Sequence, residues 1–118
     1  MPSFNEYFDT AFWVLQAVVG LVFFAHGLGK VKAPAGVAAA YGAPAFVGLV
    51  HGLVEVVGGV MMVTDWMPQL AAAAFCVIML GALYFKIFKW KSPFLVMDKA
   101  GWEFDLLLLA ASLLILTK

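Results

Sequence analysis

Arginine is absent from this sequence, and charge of either sign is scarce. Seven lysines balance seven acidic residues, so the formal net charge is zero and charged residues make up 12% of the chain. The sequence has no basic run with interleaved aromatic residues, which a nucleic-acid-binding surface would need. We therefore exclude nucleic acid as a partner.

Cysteine is almost absent too, since Cys76 is the only one and lies inside an apolar run. A single cysteine excludes an internal disulfide framework, a Cys-x-x-Cys redox pair and a cysteine-ligated zinc site. The glycine-rich fingerprint of flavin or nicotinamide binding is also missing from the sequence. Electrons for any redox reaction must therefore come from another protein or from a ligand.

Apolar residues are what the sequence has in abundance, at 65% of the chain. A membrane-spanning helix needs about 20 of them, because the hydrocarbon core is roughly 30 Å thick and each residue rises about 1.5 Å. Four stretches meet this requirement, at about residues 10–28, 45–64, 68–88 and 99–117. The sequence thus predicts an all-α protein with one membrane domain over residues 1–118. The domain is expected to be a membrane-spanning four-helix bundle with antiparallel neighbours, because the connections are short.

Lysines indicate the orientation of this bundle. Six of the seven follow the first or the third predicted helix: Lys30, Lys32, Lys86, Lys89, Lys91 and Lys99. Because basic residues concentrate on the cytoplasmic side of membrane proteins, we predict that both termini face away from the cytoplasm. Glu6 and Asp9 stand where a secretory signal would have lysines, so we expect the first helix to be retained.

Polar side chains are predicted to gather at the lysine-rich end. Counted at about 1.5 Å per residue, His26 lies about one turn deeper than Lys30, and Glu55 lies about three turns inside the second helix. His51 and Glu55 share a stripe with glycines of the second helix, and such a stripe should face protein. Four further side chains fall at the same end: Tyr84, Trp102, Glu103 and Asp105.

Glu55 and Glu103 are the two candidate catalytic carboxyls. A carboxyl as deep as Glu55 is costly unless it is paired or protonated, so it acts either as a hydrogen-bonded strut or in proton transfer. For Glu103 two interpretations stay open, which are a catalytic role and the ordinary preference of negative charge for a helix N-terminus. For Asp105 that preference is a sufficient explanation.

His26 is the third candidate catalytic residue and also a candidate ligand-binding residue, because an imidazole can hydrogen-bond a quinone carbonyl. Lys30 would supply positive charge to a reduced quinone or to an oxyanion such as thiosulfate, or else extend to the headgroups.

Three more residues complete the candidate ligand-binding set: His51, Tyr84 and Trp102. Tyr84 and Trp102 also suit a membrane interface without any ligand. We predict no metal site, with a haem held between His26 and His51 as an alternative.

Four motifs carry a family resemblance: Gly20-x-x-Phe23-x-x-His26-Gly27-x-x-Lys30, Glu55-x-x-Gly58-Gly59, Met79-Leu80-Gly81-Ala82-x-Tyr84 and Gly101-Trp102-Glu103. Together they resemble the DoxX family, from about residue 17 to residue 116. The resemblance implies a small four-helix protein of a bacterial or archaeal cytoplasmic membrane. The family is named after a subunit of an archaeal thiosulfate:quinone oxidoreductase, and other members are similar to membrane partners of oxidative-stress and thiol-oxidant systems.

The residues and the resemblance lead to one principal hypothesis. The chain is expected to be a membrane subunit of a quinone-linked redox complex, with quinone as its cofactor and a polar, proton-handling cavity at one end of the bundle. Its expected partners are the lipid bilayer, a quinone-like or other small ligand, and further subunits or a second copy of the chain. The alternatives are a non-catalytic membrane anchor or assembly partner and a haem-binding electron carrier. Whether the chain takes part in catalysis is left open.

Overall fold

The helices follow one another in the order that the apolar runs suggest. The computed structural model describes residues 5–91 and 102–118, and every regular element in these ranges is helical. A 3₁₀ turn (Asn5–Tyr7) precedes α1 (Phe8–Lys32), α2 (Pro34–Ala40), α3 (Ala45–Val63), α4 (Pro68–Tyr84), a π-helical turn (Phe85–Lys89) that continues α4, and α5 (Trp102–Leu116).

Prolines and left-handed residues set the helix boundaries. Ala33 leaves the helical region because it precedes Pro34, and Pro34 then begins α2. Gly42 takes a positive φ of 69° after α2, where glycine is favoured. Met67 has a φ of 48°, and Pro68 begins α4 directly after it. The connection from α1 to α3 therefore breaks where the prolines and glycine predicted, although the short α2 inside it was not predicted.

Within the described residues, three helical segments are long and apolar enough to cross a membrane: Asn5–Lys32, Ala45–Val63 and Pro68–Lys89. The all-helical class and these membrane-capable segments are confirmed. α5 has 15 described residues, so it is about 22 Å long and shorter than the roughly 30 Å hydrocarbon core. The predicted fourth helix begins at about residue 99, and residues 99–101 lie outside the described ranges. The count of four crossings therefore stays a prediction.

Two glycine pairs hold α1 and α3 in backbone contact. A Cβ atom on Gly27 would lie 2.6 Å from the carbonyl oxygen of Gly52, and one on Gly20 would lie 2.7 Å from that of Gly59. The two glycines of each helix are seven residues apart, so both pairs lie on one seam. Since lipid supplies no hydrophobic force between helices, such close packing is a main source of attraction between them.

Aromatic stacking joins this helix pair to the rest of the core. The rings of Phe23 on α1 and Phe75 on α4 stack with centroids 3.7 Å apart, and both side chains are fully buried. Ile115 of α5 is also part of this buried cluster. At the far end, buried Gln16 donates hydrogen bonds to the Met62 carbonyl (3.0 Å) and to Asp65 Oδ1 (2.8 Å). These contacts join α1 to α3, α4 and α5.

Alanine substitutions at two neighbouring glycines of α1 test the glycine seam. Gly27→Ala places a methyl group against the α3 backbone, and overpacking of this kind costs about 1–3 kcal/mol. Gly29→Ala is the matched control, because no atom lies within 4 Å of its Cβ position and alanine gains up to about 1 kcal/mol in helix propensity. We expect thermal unfolding in detergent to show a lower midpoint for Gly27→Ala only. Equal midpoints for the two variants would contradict the seam.

Candidate functional site

A cavity of about 280 Å³ opens at the lysine-rich end of the helices. Its walls come from α1, α3, α4 and α5, together with the end of α2 and the π-helical turn. The charged and imidazole side chains that line it are His26, Lys30, His51, Glu55, Lys86 and Asp105. Phe23, Met79 and Leu108 give it apolar walls. The cavity therefore combines polar groups from several helices with an apolar lining.

Lys30 and Glu55 form the first ion pair of the cavity. Lys30 Nζ donates a hydrogen bond to Glu55 Oε1, and Glu55 is only 1% exposed. A Cβ atom on Gly52 would lie 2.9 Å from the Lys30 Cβ atom, so the glycine makes room for the lysine stem. The glycine seam thus brings this lysine against the α3 carboxyl. Lys30 Nζ points into the protein, which the sequence alone left undecided.

His51 lies one helical turn from Glu55 on the same face of α3. Its Nε2 atom is 3.6 Å from Glu55 Oε1, which is too long for a hydrogen bond. Within the part of the chain that the structure describes, this buried nitrogen has no hydrogen-bond partner. His51 is therefore available to bind a group that enters the cavity.

Lys86 and Asp105 form a second ion pair, with 2.6 Å between Lys86 Nζ and Asp105 Oδ2. Lys86 lies in the π-helical turn at the end of α4, and Asp105 is buried in the first turn of α5. Sequence reasoning used Lys86 only for orientation and explained Asp105 by its helix end. The one sequence signal for this ion pair was a carboxylate on an apolar helix, because a π-helical turn has no clear sequence signature.

An aromatic cluster of Tyr41, Phe85 and Trp90 lies next to these charges. The Tyr41 and Phe85 rings meet edge to face at 4.8 Å, and the centroids of Tyr41 and Trp90 are 5.6 Å apart. Tyr41 and Trp90 both line the cavity. Tyr41 follows α2, so the unpredicted short helix places a phenol at the site.

Four of the predicted site residues meet in this cavity: His26, Lys30, His51 and Glu55. His26 is exposed, and its ring centroid lies 5.7 Å from that of Phe104. The other three predicted residues, Tyr84, Trp102 and Glu103, do not line the cavity.

Tyr84 is 48% exposed and packs against Phe88, with Lys89 Nζ 5.9 Å from its ring centroid. Trp102 and Glu103 are half-buried in the first turn of α5. Glu103 Oε2 is buried and has no hydrogen-bond partner among the described residues. The roles predicted for these three residues stay predictions. Gly101 of the fourth motif lies outside the described ranges.

The charge balance limits what the cavity can bind. The two lysines that line it in the described part of the chain are each paired with a carboxylate, so these four groups are neutral together. Neither lysine is left without a counter-charge, and the two imidazoles add groups that can donate or accept a proton. The described residues contain no group of three His, Cys, Asp or Glu side chains that could hold a metal ion. The arrangement suits hydrogen bonding and proton transfer with a small ligand.

Tyr41 gives the site a pH-dependent signature. Burial raises the pKa of Tyr41 above its ordinary value of 10.0, and the negative charges of Glu55 and Asp105 raise it further. The midpoint of the phenol titration therefore lies above pH 10. We expect the phenolate absorbance that is lost in Tyr41→Phe to rise with a midpoint above pH 10 when wild type and variant are titrated side by side. A difference signal with its midpoint at or below pH 10 would show that Tyr41 is solvated.

Comparisons with known proteins agree with the sequence motifs. The DoxX family model matches residues 12–88, which include the first three motifs but not Gly101-Trp102-Glu103. A Bacillus subtilis (strain 168) protein named "Putative oxidoreductase CatD" is 30% identical over 112 residues, which cover 92% of this chain and 79% of that protein. No solved structure matches the chain. The family match spans more than half of the sequence and contains the cavity residues of α1 and α3, so the chain belongs to the DoxX family.

Proposed function

We propose that this protein is the membrane subunit of a quinone-linked redox complex, and that its cavity binds the quinone ring and exchanges protons with it. One observation carries the proposal: two lysine–carboxylate pairs face one cavity with apolar walls, together with an imidazole nitrogen that has no hydrogen-bond partner among the described residues. The oxidoreductase name of the Bacillus subtilis relative supports a redox role.

The charge balance favours a neutral ligand over an anion. Thiosulfate carries two negative charges and would need cations without counter-charges, because a buried charge is costly unless it is paired. Both lysines that line the cavity already have carboxylate partners. A quinone is uncharged and presents carbonyl oxygens, which accept hydrogen bonds from groups such as the His51 imidazole.

The size of the cavity favours a ring rather than a macrocycle. Its volume of about 280 Å³ lies just below the common range of about 300–1,000 Å³ for ligand sites. Phe23 and Phe104 supply aromatic surface beside the polar groups. A planar ring with two polar edges fits this combination, whereas a haem would require the helices to separate.

Reduction of a quinone to a quinol consumes two electrons and two protons. The chain has no flavin or nicotinamide fingerprint, so a partner protein is the electron donor in this proposal. Glu55, His51 and His26 are the groups that hold and deliver the protons, because each can exchange a proton within the cavity. Lys30 orients the Glu55 carboxyl through the hydrogen bond that it donates.

The proposal includes the membrane arrangement predicted from the sequence. α5 is taken as the fourth crossing, completed by the residues before Trp102, and the cavity then lies near the cytoplasmic surface. Both termini face the opposite side of a bacterial or archaeal cytoplasmic membrane. In this arrangement Lys30 and Lys86 lie toward the cytoplasmic side, where basic residues of membrane proteins concentrate.

Glu55→Gln tests the proton-transfer role directly. The amide keeps the size of the side chain and can still accept the hydrogen bond from Lys30, but it cannot exchange a proton. We expect the variant to lose quinone reduction by about 10²-fold or more, the usual contribution of a general acid–base group, and thermal unfolding in detergent measures separately any destabilisation that comes from leaving Lys30 without a counter-charge. The assay uses the complex isolated with its natural partner in mild detergent, with bound quinone and any haem Soret band measured on the same sample.

Asp9→Asn is the matched control, because it makes the same carboxyl-to-amide change on an exposed side chain in the first turn of α1. It should leave turnover unchanged. A Glu55→Gln complex with full turnover would leave Glu55 as a strut between helices and favour the membrane-anchor alternative. A Soret band in place of extractable quinone would favour the haem alternative.

Cysteine labelling tests the proposed orientation. Lys89→Cys and Thr117→Cys, each in a Cys76→Ala background, place exposed thiols near opposite ends of the helices. An impermeant maleimide added to intact cells stripped of their wall should label Thr117→Cys at once and Lys89→Cys only after lysis, because lysine-rich segments stay in the cytoplasm. The reverse order of labelling would invert the proposed orientation.

A further inference from the structure

A continuous groove runs along the outer surface between α3 and α4. Three adjoining depressions form it, with volumes of about 220, 480 and 320 Å³ from the cavity end outward. Val54 and Ala74 line both of the outer two depressions, and Val47 and Val77 line both of the inner two. The depressions are therefore one surface feature.

Small residues create the groove. Gly81 and Ala74 line it on α4, and apart from its chain neighbours and the backbone of α4 no described atom lies within 4 Å of the Cβ position of Gly81. From Leu70 to Gly81 the groove follows α4 over eleven residue-to-residue steps, which is about 17 Å at 1.5 Å per step. That length fits within the roughly 30 Å hydrocarbon core, and the lining residues Val50, Val57 and Val77 are exposed, so the groove faces lipid in the proposed membrane arrangement.

The groove joins the polar cavity at its inner end. His51 and Ile78 line the cavity and also the two nearer depressions, while Tyr41 and Ala82 line the cavity and the nearest one. Farther out, the walls are formed by Leu53, Val57, Met61 and other apolar side chains. The lining thus changes along one path, from the ion pairs of the cavity, past His51, to the apolar side chains of the groove.

We infer that this groove holds the apolar tail of a lipid-soluble quinone whose ring lies in the cavity, and that the ligand enters from the bilayer between α3 and α4. The inference rests on the proposed function, since it extends the same site to a second part of the same ligand. In this arrangement the ring and the tail of the ligand meet beside His51 and Ile78. Because the groove shares His51 and Ile78 with the cavity, a tail that lies in the groove is continuous with a ring that lies in the cavity.

Two quinone probes with the same benzoquinone ring, one with a ten-carbon tail and one without a tail, separate the ring site from the tail site. Affinities are measured in nanodiscs of one lipid composition, and each variant is compared with wild type for the same probe, so that partition into lipid cancels. Gly81→Leu fills the groove beside the cavity. Gly29→Leu is the matched control, because its Cβ position is equally open and it lies on α1 away from the groove.

We expect Gly81→Leu to weaken binding of the tailed probe about tenfold, the loss expected when about two buried methylene groups are displaced. The tailless probe should bind Gly81→Leu and wild type equally, and Gly29→Leu should change neither affinity. Equal weakening of both probes, or no change in either, would overturn the groove while leaving the ring site intact. If neither probe binds wild type, the proposed function fails and the groove fails with it.

A photoreactive tail tests the same inference in the wild-type protein, so the result does not depend on whether a variant folds. The tailed probe carries a diazirine at the end of its tail, and labelled peptides are mapped by mass spectrometry with and without excess unlabelled tailed quinone. Competed labelling should concentrate on the groove residues Leu53, Val57, Met61 and Leu70. Competed labelling spread evenly over the exposed faces of α1 and α5 would refute the groove.

Discussion

The backbone contact between α1 and α3 is the constraint on which the site depends. Two glycine pairs on one seam let these helices approach until carbonyl oxygens face Cα atoms, which any larger side chain would prevent. This approach carries Lys30 from α1 to the Glu55 carboxyl on α3. A wider separation would leave the carboxyl unpaired in an apolar setting, where an isolated charge is unfavourable by several kcal/mol.

Pairing between helices explains how a chain with so few charges forms a polar cavity. Each ion pair joins two elements distant in sequence, α1 with α3 and the π-helical turn with α5. Within each pair the lysine and the carboxylate neutralise each other's charge, and imidazole and phenol groups lie beside them. This balance is the basis on which we propose a neutral polar ring as the ligand.

The cavity is polar and the groove beside it is apolar, so the character of the lining changes from one end of the site to the other. Charged groups line the cavity at the lysine-rich end, whereas glycine and alanine on α4 leave an apolar surface groove that begins beside it. His51 faces both regions and has no hydrogen-bond partner within the described part of the chain. A ligand with a polar ring and an apolar tail matches both ends of this path. In this proposal the exposed glycine of the Met79-Leu80-Gly81-Ala82 motif supplies the open space of the groove.

The sequence by itself determined the helical class, the apolar segments and the end at which polar side chains gather, because hydrophobic runs, prolines and residue counts act locally along the chain. It also located His26, Lys30, His51 and Glu55, since their depth follows from 1.5 Å per residue. Only the tertiary structure decided that Lys86 and Asp105 form a pair and that Tyr41 belongs to the site. Those contacts depend on a π-helical turn and a short linker helix, and such features arise from packing between distant segments rather than from local preference.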